Sequence, residues 1–299
     1  MDVRTDLALE VRESFPKDNV EISGVVLEEK KAGHGISVSI VDIVNENGAE
    51  AMGKPMGRYI TIEASDAALN DIETGKESPG NETLKKQIVK YLSQFCKNKK
   101  KVLVACLGNR DATPDCLGPK VLDELFVTAH LINAGYISQD KVMPVCAIEP
   151  GVMAKTGIET ASIIKGVINE VKPDVLIAVD ALAARSITRL TKTIQITDTG
   201  ICPGAGVGNN RQELSRATLG IDVVAIGVPT VVEAFTIVRD FMQKAFENML
   251  EEDIDTEAFL SAVRNENSVS NFYVTPKSID EDVTRIGCII AEALNECFS

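Results

Sequence analysis

Two aspartates in this chain stand where apolar runs give out. The run Lys101 to Leu107 opens into Gly108-Asn109-Arg110-Asp111-Ala112-Thr113-Pro114-Asp115, and the run Pro173 to Val179 stops at Asp180. Continuous apolar runs bounded by turn residues read as parallel strands covered on both faces, and the loops at their carboxyl ends are where open α/β sheets place their sites. Asp115 and Asp180 are therefore expected at one crevice. Two carboxylates brought from separate strands can divide the acid and base roles of hydrolysis, because each perturbs the other's proton affinity.

Structural roles compete with that chemistry. Asp115 precedes a helix whose first turn is marked by Pro119, so it also reads as an N-terminal cap. An unpaired carboxylate at the buried end of a strand is costly. Arg185, five residues on, is therefore a candidate ion-pair partner for Asp180. The glycine-rich stretch Pro203 to Asn210 lacks the G-x-G-x-x-G register at a strand–helix junction and reads as a tight turn. Cys116 has no histidine placed to activate it and reads as a buried thiol, and His130 reads as a surface or packing residue.

Composition narrows the class. With 299 residues, 44% apolar and 25% charged, the chain suits one large domain or two small ones. A net charge of −13 argues against direct contact with nucleic acid or an anionic membrane. No apolar stretch approaches the roughly 20 residues of a membrane span, and Met1 to Asp6 lacks signal-peptide character, so a cytosolic location is expected. Seven scattered cysteines without a C-x-x-C pair suit reduced thiols. Only His34 and His130 are available to a histidine-rich metal site or a Ser-His-Asp triad, which lowers the expectation of either.

The elements that must position the acids follow from periodicity. Three β-rich runs within 20–64, separated by Gly and Asn turns, predict an antiparallel portion. Ser65 to Asn81 reads as a surface loop, followed by a helix carrying Leu84, Ile88, Val89, Leu92 and Phe95 on one face. From about 82 to 250 the pattern alternates: strand 101–107, helix 117–131, strand 142–148, helix 159–171, strands 174–180 and 193–197, and Asp222 to Ile226 feeding a helix opened by the capping box Thr230 to Glu233. Repeated strand and helix units predict an α/β fold with a mostly parallel central sheet and helices on both faces. Residues 251–299 form a C-terminal extension ending in a helix over 280–297.

Several segments in order resemble the germination protease family of spore-forming bacteria. They are Val3 to Ala8, Gly108-Asn109 through Thr113-Pro114-Asp115 to Pro119, Pro150 to Met153 with Thr156 to Thr160, Asp180 to Ser186, Pro203-Gly204 with Gly206 to Asn209, and Ala225 to Val232. That resemblance implies a homotetrameric endopeptidase of the spore core that degrades small acid-soluble spore proteins when germination begins. It implies Asp115 and Asp180 as the catalytic pair, with Asn109 and Arg185 as candidate supporting residues in the same motifs. It further implies a hydrogenase-maturation-protease-like core, in a family whose relatives add a nickel-sensing histidine.

The family is made as a zymogen that cuts itself near its amino terminus, at an acid followed by an apolar residue, Ala, any residue and Glu. Asp6-Leu7-Ala8-Leu9-Glu10 fits, so cleavage is expected between Asp6 and Leu7, leaving a propeptide of residues 1–6 and a single peptidase domain of 7–299. Cys116 stands where the family is expected to have Ala, and the chain past about residue 250 matches poorly. No cofactor is expected; a divalent metal between Asp115 and Asp180, if present, would be ligated by those carboxylates and would activate the water by charge. The alternatives are a metal-dependent maturation-type endopeptidase, which needs a histidine near the acids, and a non-enzymatic anion- or nucleotide-binding module using the loop Gly204 to Gly208.

Overall fold

Alternation along the strands decides the architecture. The computed structural model describes residues 5–15, 22–69, 78–204, 211–248 and 272–299. After α1 (Ala8–Glu13), the β-rich run forms β1 (Val25–Gly33), β2 (Ile36–Ile43) and β3 (Gly57–Ala64), with α2 (Glu46–Met52) between the last two. Next come α3 (Asp66–Leu69), α4 (Pro79–Phe95), β4 (Val102–Cys106), α5 (Leu117–Glu124), α6 (Ala129–Asn133) and β5 (Val145–Ile148). The chain continues through α7 (Met153–Thr156), α8 (Thr160–Val171), β6 (Val175–Ala184), β7 (Thr193–Thr197), α9 (Arg216–Leu219), β8 (Asp222–Glu233), α10 (Ala234–Asn248), β9 (Tyr273–Val274) and α11 (Ile279–Phe298).

These strands form one mixed sheet in the order β1-β2-β3-β7-β8-β6-β4-β5, with β9 added to β8. The pairs among β5, β4, β6 and β8 are parallel, while β7 joins them antiparallel to β8 and ties on the N-terminal strands. The expected α/β class therefore holds, and the β-rich portion is an extension of the central sheet. Alternate residues of β6 point to opposite faces. Val175, Ile177 and Val179 meet a core under α4, α5 and α11, while Leu176 and Ala178 meet Ile164 and Ile168 of α8.

Three expectations change at their edges. The helix predicted over 117–131 stops at Glu124, because Thr128 bonds to the entry of β5: its amide donates to Val145 O at 3.1 Å and its hydroxyl to Met143 O at 2.6 Å. Thr230 to Glu233 do not cap a helix; β8 runs through Glu233 because Val231 and Val232 pair with Ala183 and Ala184 of β6. The loop expected to reach Asn81 ends earlier, since Ser78 Oγ caps α4 by accepting from the Gly80 and Asn81 amides, while residues 70–77 lie outside the described residues. The terminal helix forms as expected, over Ile279–Phe298, with Val283, Ile286, Ile290 and Leu294 turned into the main core. The polar stretch 251–271 lies outside the described residues.

Candidate active site

Asp180 sits where a long strand outruns its neighbour. β4 ends at Cys106, Leu107 gives its amide to Val179 O at 2.8 Å, and the chain then turns away at Gly108. β6 continues to Ala184, so Asp180 lies inside the strand, opposite Gly227 of β8, rather than at its end as expected. It shares a face with Leu182 and Ala184 and is 4% exposed. Burial raises its carboxyl well above the usual range, and the charges of Asp115 and Asp6 push the same way. The Ala181 amide, which donates to Asp180 Oδ1 at 3.0 Å, and Arg211 offset part of this.

The turn after β4 delivers Asp115. Gly108 has φ +114°, a left-handed region that L side chains rarely adopt, and a Cβ there would lie 2.0 Å from Asp115 O. Asn109 donates its amide to Asp115 O at 2.8 Å, and Thr113 to Asp115 form a single 3₁₀ turn. The capping role considered for Asp115 is not taken: the N-cap of α5 is Cys116, without a side-chain cap bond. The Asp115 carboxyl is pushed up to about 6 by burial, against the Asn109 backbone N–H and Arg211.

Asp115 and Asp180 line one cleft of ≈ 260 Å³ together with Asp6, Thr160, Gly204 and Arg211. The segment carrying Asp6 is tied down residue by residue. Asp6 gives its amide to Ala183 O at 2.9 Å, and its Oδ2 accepts the Ala183 amide at 2.8 Å. Leu7 is fully buried against Leu182, Ala184, Leu190 and Val232. Glu10, 2% exposed, accepts the backbone amides of Arg185 at 2.7 Å and Ser186 at 3.0 Å and lies 3.5 Å from Arg189 Nη1.

The supporting residues divide. Asn109 holds the turn with its amide, as above, and with its Oδ1, which accepts the Asp111 amide at 3.2 Å. Arg185 is not the partner of Asp180: its guanidinium pairs with Asp240 at 3.2 Å, and it is its amide that serves the site by holding Glu10. Cys116 is buried, and burial raises its thiol, which disfavours the reactive thiolate. His34 occupies the β1–β2 turn with φ 48° and His130 is exposed on α6. Neither lines the cleft. Among the described residues no three His, Cys, Asp or Glu side chains converge to hold a metal. Pro203 and Gly204 line the cleft, and residues 205–210 of the glycine-rich loop lie outside the described residues.

The composition of the sequence had not pointed to Thr160, Arg211 or Gln195. Of these, Gln195 left a faint mark, a long amide inside the alternating run Thr-Ile-Gln-Ile-Thr, where a buried polar side chain must find partners.

Two carboxylates and a segment of the chain's own N-terminus thus meet in one cleft at the carboxyl end of parallel strands, the place where α/β enzymes carry their sites. The sequence profile described as "Germination protease" matches residues 3–266. Relatives described by that name include one from Clostridium perfringens (strain SM101), 42% identical over 98% of this chain and 94% of its own length. Another, from Priestia megaterium, is 47% identical over 84% of this chain and 70% of its own. This chain belongs to the germination protease family and is a protease. A solved [NiFe] hydrogenase maturation protease, HycI from Thermococcus kodakarensis KOD1, aligns with 68% of this chain and 98% of its own at 16% identity and TM-score 0.35.

Proposed function

We propose that this chain is an endopeptidase that begins the degradation of small acid-soluble spore proteins in the germinating spore core, works as a homotetramer, and is made as a zymogen that cuts itself between Asp6 and Leu7. One observation carries the reading: Asp115, Asp180 and Asp6 line the same cleft, so the bond expected to be cut lies beside the two acids expected to cut it. The different environments of the pair support one division of roles. Asp180, the more buried, keeps its proton and donates to the peptide, while Asp115, at about 6, is ionised near neutrality and takes the proton of the attacking water. Water adds to the Asp6 carbonyl carbon, the bond to Leu7 N breaks, and the nitrogen leaves as an amine after gaining a proton.

The test follows the mass of the purified chain over time. Loss of residues 1–6, abolished by either Asp115→Asn or Asp180→Asn, together with cleavage of a purified small acid-soluble spore protein, is the expected result. An active enzyme that retains Met1, or full activity in either variant, overturns it.

A further inference from the structure

Gln195 stands on β7 with its side chain on the face opposite Ile194 and Ile196, both of which enter the main core. Only 6% of it is exposed. A buried primary amide must have its donor and acceptor satisfied, and among the described residues the partners of this one are main-chain groups. Its Oε1 accepts the Ala8 amide at 2.8 Å and its Nε2 donates to the Asp6 carbonyl oxygen at 3.2 Å. The side chain thus brackets Leu7, gripping the carbonyl just before it and the amide just after it. The two bonds also fix which end of the amide is nitrogen, because only Nε2 can donate to a carbonyl.

Sheet register sets Gln195 against Asp180. Both are paired with Gly227: Asp180 from β6 and Gln195 from β7. Two strand spacings of about 4.8 Å place their backbones roughly 10 Å apart on one face. Gly227 between them carries no side chain, and the Leu182 side chain packs over it: a Cβ there would lie 2.3 Å from Leu182 Cδ1. Asp6 lines both the cleft of Asp115 and Asp180 and a neighbouring cleft of ≈ 270 Å³ that contains Gln195 and Gly227. The Asp6 main chain is held from the β6 side by Ala183 and from the β7 side by Gln195.

We infer that Gln195 is a third catalytic residue, whose Nε2–H holds the carbonyl oxygen of the bond to be cut and stabilises the negative charge that oxygen gains. The inference rests on the proposed reading that the Asp6–Leu7 bond is hydrolysed by the two aspartates. As water adds to the Asp6 carbonyl carbon, the C=O pair moves onto oxygen and the hydrogen bond from Gln195 becomes charge-assisted; it relaxes when the carbonyl reforms and Leu7 N departs as the amine. A donor already aimed at that oxygen in the ground state needs little reorganisation to do this, which is the basis of oxyanion stabilisation. The second bond, to the Ala8 amide, keeps the donor in register.

The experiment measures the first-order rate of self-processing by intact mass for Gln195→Glu and Gln195→Met, with hydrogen exchange of residues 7–15 showing whether the segment stays seated. Gln195→Glu keeps the acceptor for the Ala8 amide and loses the donor; Gln195→Met removes both at similar volume. The expected result is processing slowed by about 100-fold or more, the range for loss of one oxyanion donor, with the segment protected in at least one variant and the acid limb of the Gln195→Met rate profile unmoved. Processing within twofold of the parent overturns the inference. So does loss of exchange protection in both variants, which makes Gln195 a clamp and nothing more. A cut at a different bond, or continued processing in Asp180→Asn, instead strikes the reading on which the inference rests.

Discussion

Glu10 and Arg185 lie 175 residues apart in the chain, yet the carboxylate of the first accepts the backbone amide of the second at 2.7 Å. The Ser186 amide, the Thr5 hydroxyl and Arg189 complete a seat in which the acid is 2% exposed. The amides lie at the far end of β6, beyond Asp180, so the same strand that carries a candidate catalytic acid also anchors the N-terminal segment. Glu10→Ala leaves those part-buried amides without an acceptor and Arg189 with one fewer partner. It is expected to cost roughly 2–4 kcal/mol, the range for removing one partner of a buried charged network, measured by urea denaturation of the unprocessed chain. A cost below about 0.5 kcal/mol, the scale of an ordinary surface substitution, contradicts the seat described.

Asp115→Asn and Asp180→Asn are each expected to lower peptidase activity by 10²-fold or more, about the contribution of a general acid or base. Their effects on stability should run the other way. Burying an ionised carboxylate is unfavourable, so the neutral amide of Asp180→Asn leaves the fold at least as stable as the parent at pH 8, read as an equal or higher Tm. A variant that is both inactive and strongly destabilised at that pH shows that Asp180 holds the fold instead.

The pH dependence follows from the raised carboxyls. Activity should climb as pH rises through about 6, where Asp115 loses its proton, and fall again at higher pH as Asp180 does. These limbs belong to the pair as a coupled unit. For stability the sign is fixed by the direction of the shifts. Both carboxyls are raised on folding, so their favourable contribution is complete below the ordinary carboxylate range. It is lost as pH rises, between 3.8 and about 6 for Asp115 and further up for Asp180. Denaturation at pH 4.5 and pH 8 should show the parent losing more stability than Asp115→Asn.

Gly108→Ala tests the turn that delivers Asp115. The positive φ disfavours any L side chain, and the new Cβ would meet Asp115 O at 2.0 Å, a backbone atom with little room to give. Activity is expected to fall by more than tenfold, with a stability loss of roughly 1–3 kcal/mol, the cost of one residue forced into strained backbone. A variant with parental activity shows that Asp115 reaches the cleft by another route.

Much of the scaffold was legible along the chain. Val102 to Cys106 and Val175 to Val179 are apolar on both faces because both faces are covered, and that pattern is local. Asp115 and Asp180 stood out because acids are expensive at the ends of such runs. The helix over 117–131 was overdrawn because its break at Leu125 is imposed from β5, by bonds between Thr128, Met143 and Val145 that no helical periodicity records. Thr230 to Glu233 read as a helix start for the same reason: their strand partners come from Ala183, Ala184 and β9.

By itself, then, the sequence determined which segments become buried strands and that acids stand where two of those strands give out, whereas the cleavable pattern of Asp6 to Glu10 came only from the resemblance to the germination protease family. The first two properties follow from side-chain burial and spacing within a few residues of one another. Only the tertiary structure decided that Arg185 pairs with Asp240 rather than Asp180, that Glu10 is seated just past the end of β6, and that Gln195 and Asp180 flank the same residue, Gly227, from β7 and β6. Each of these depends on which strands lie side by side and in what register, and register is set by the packing of the whole sheet.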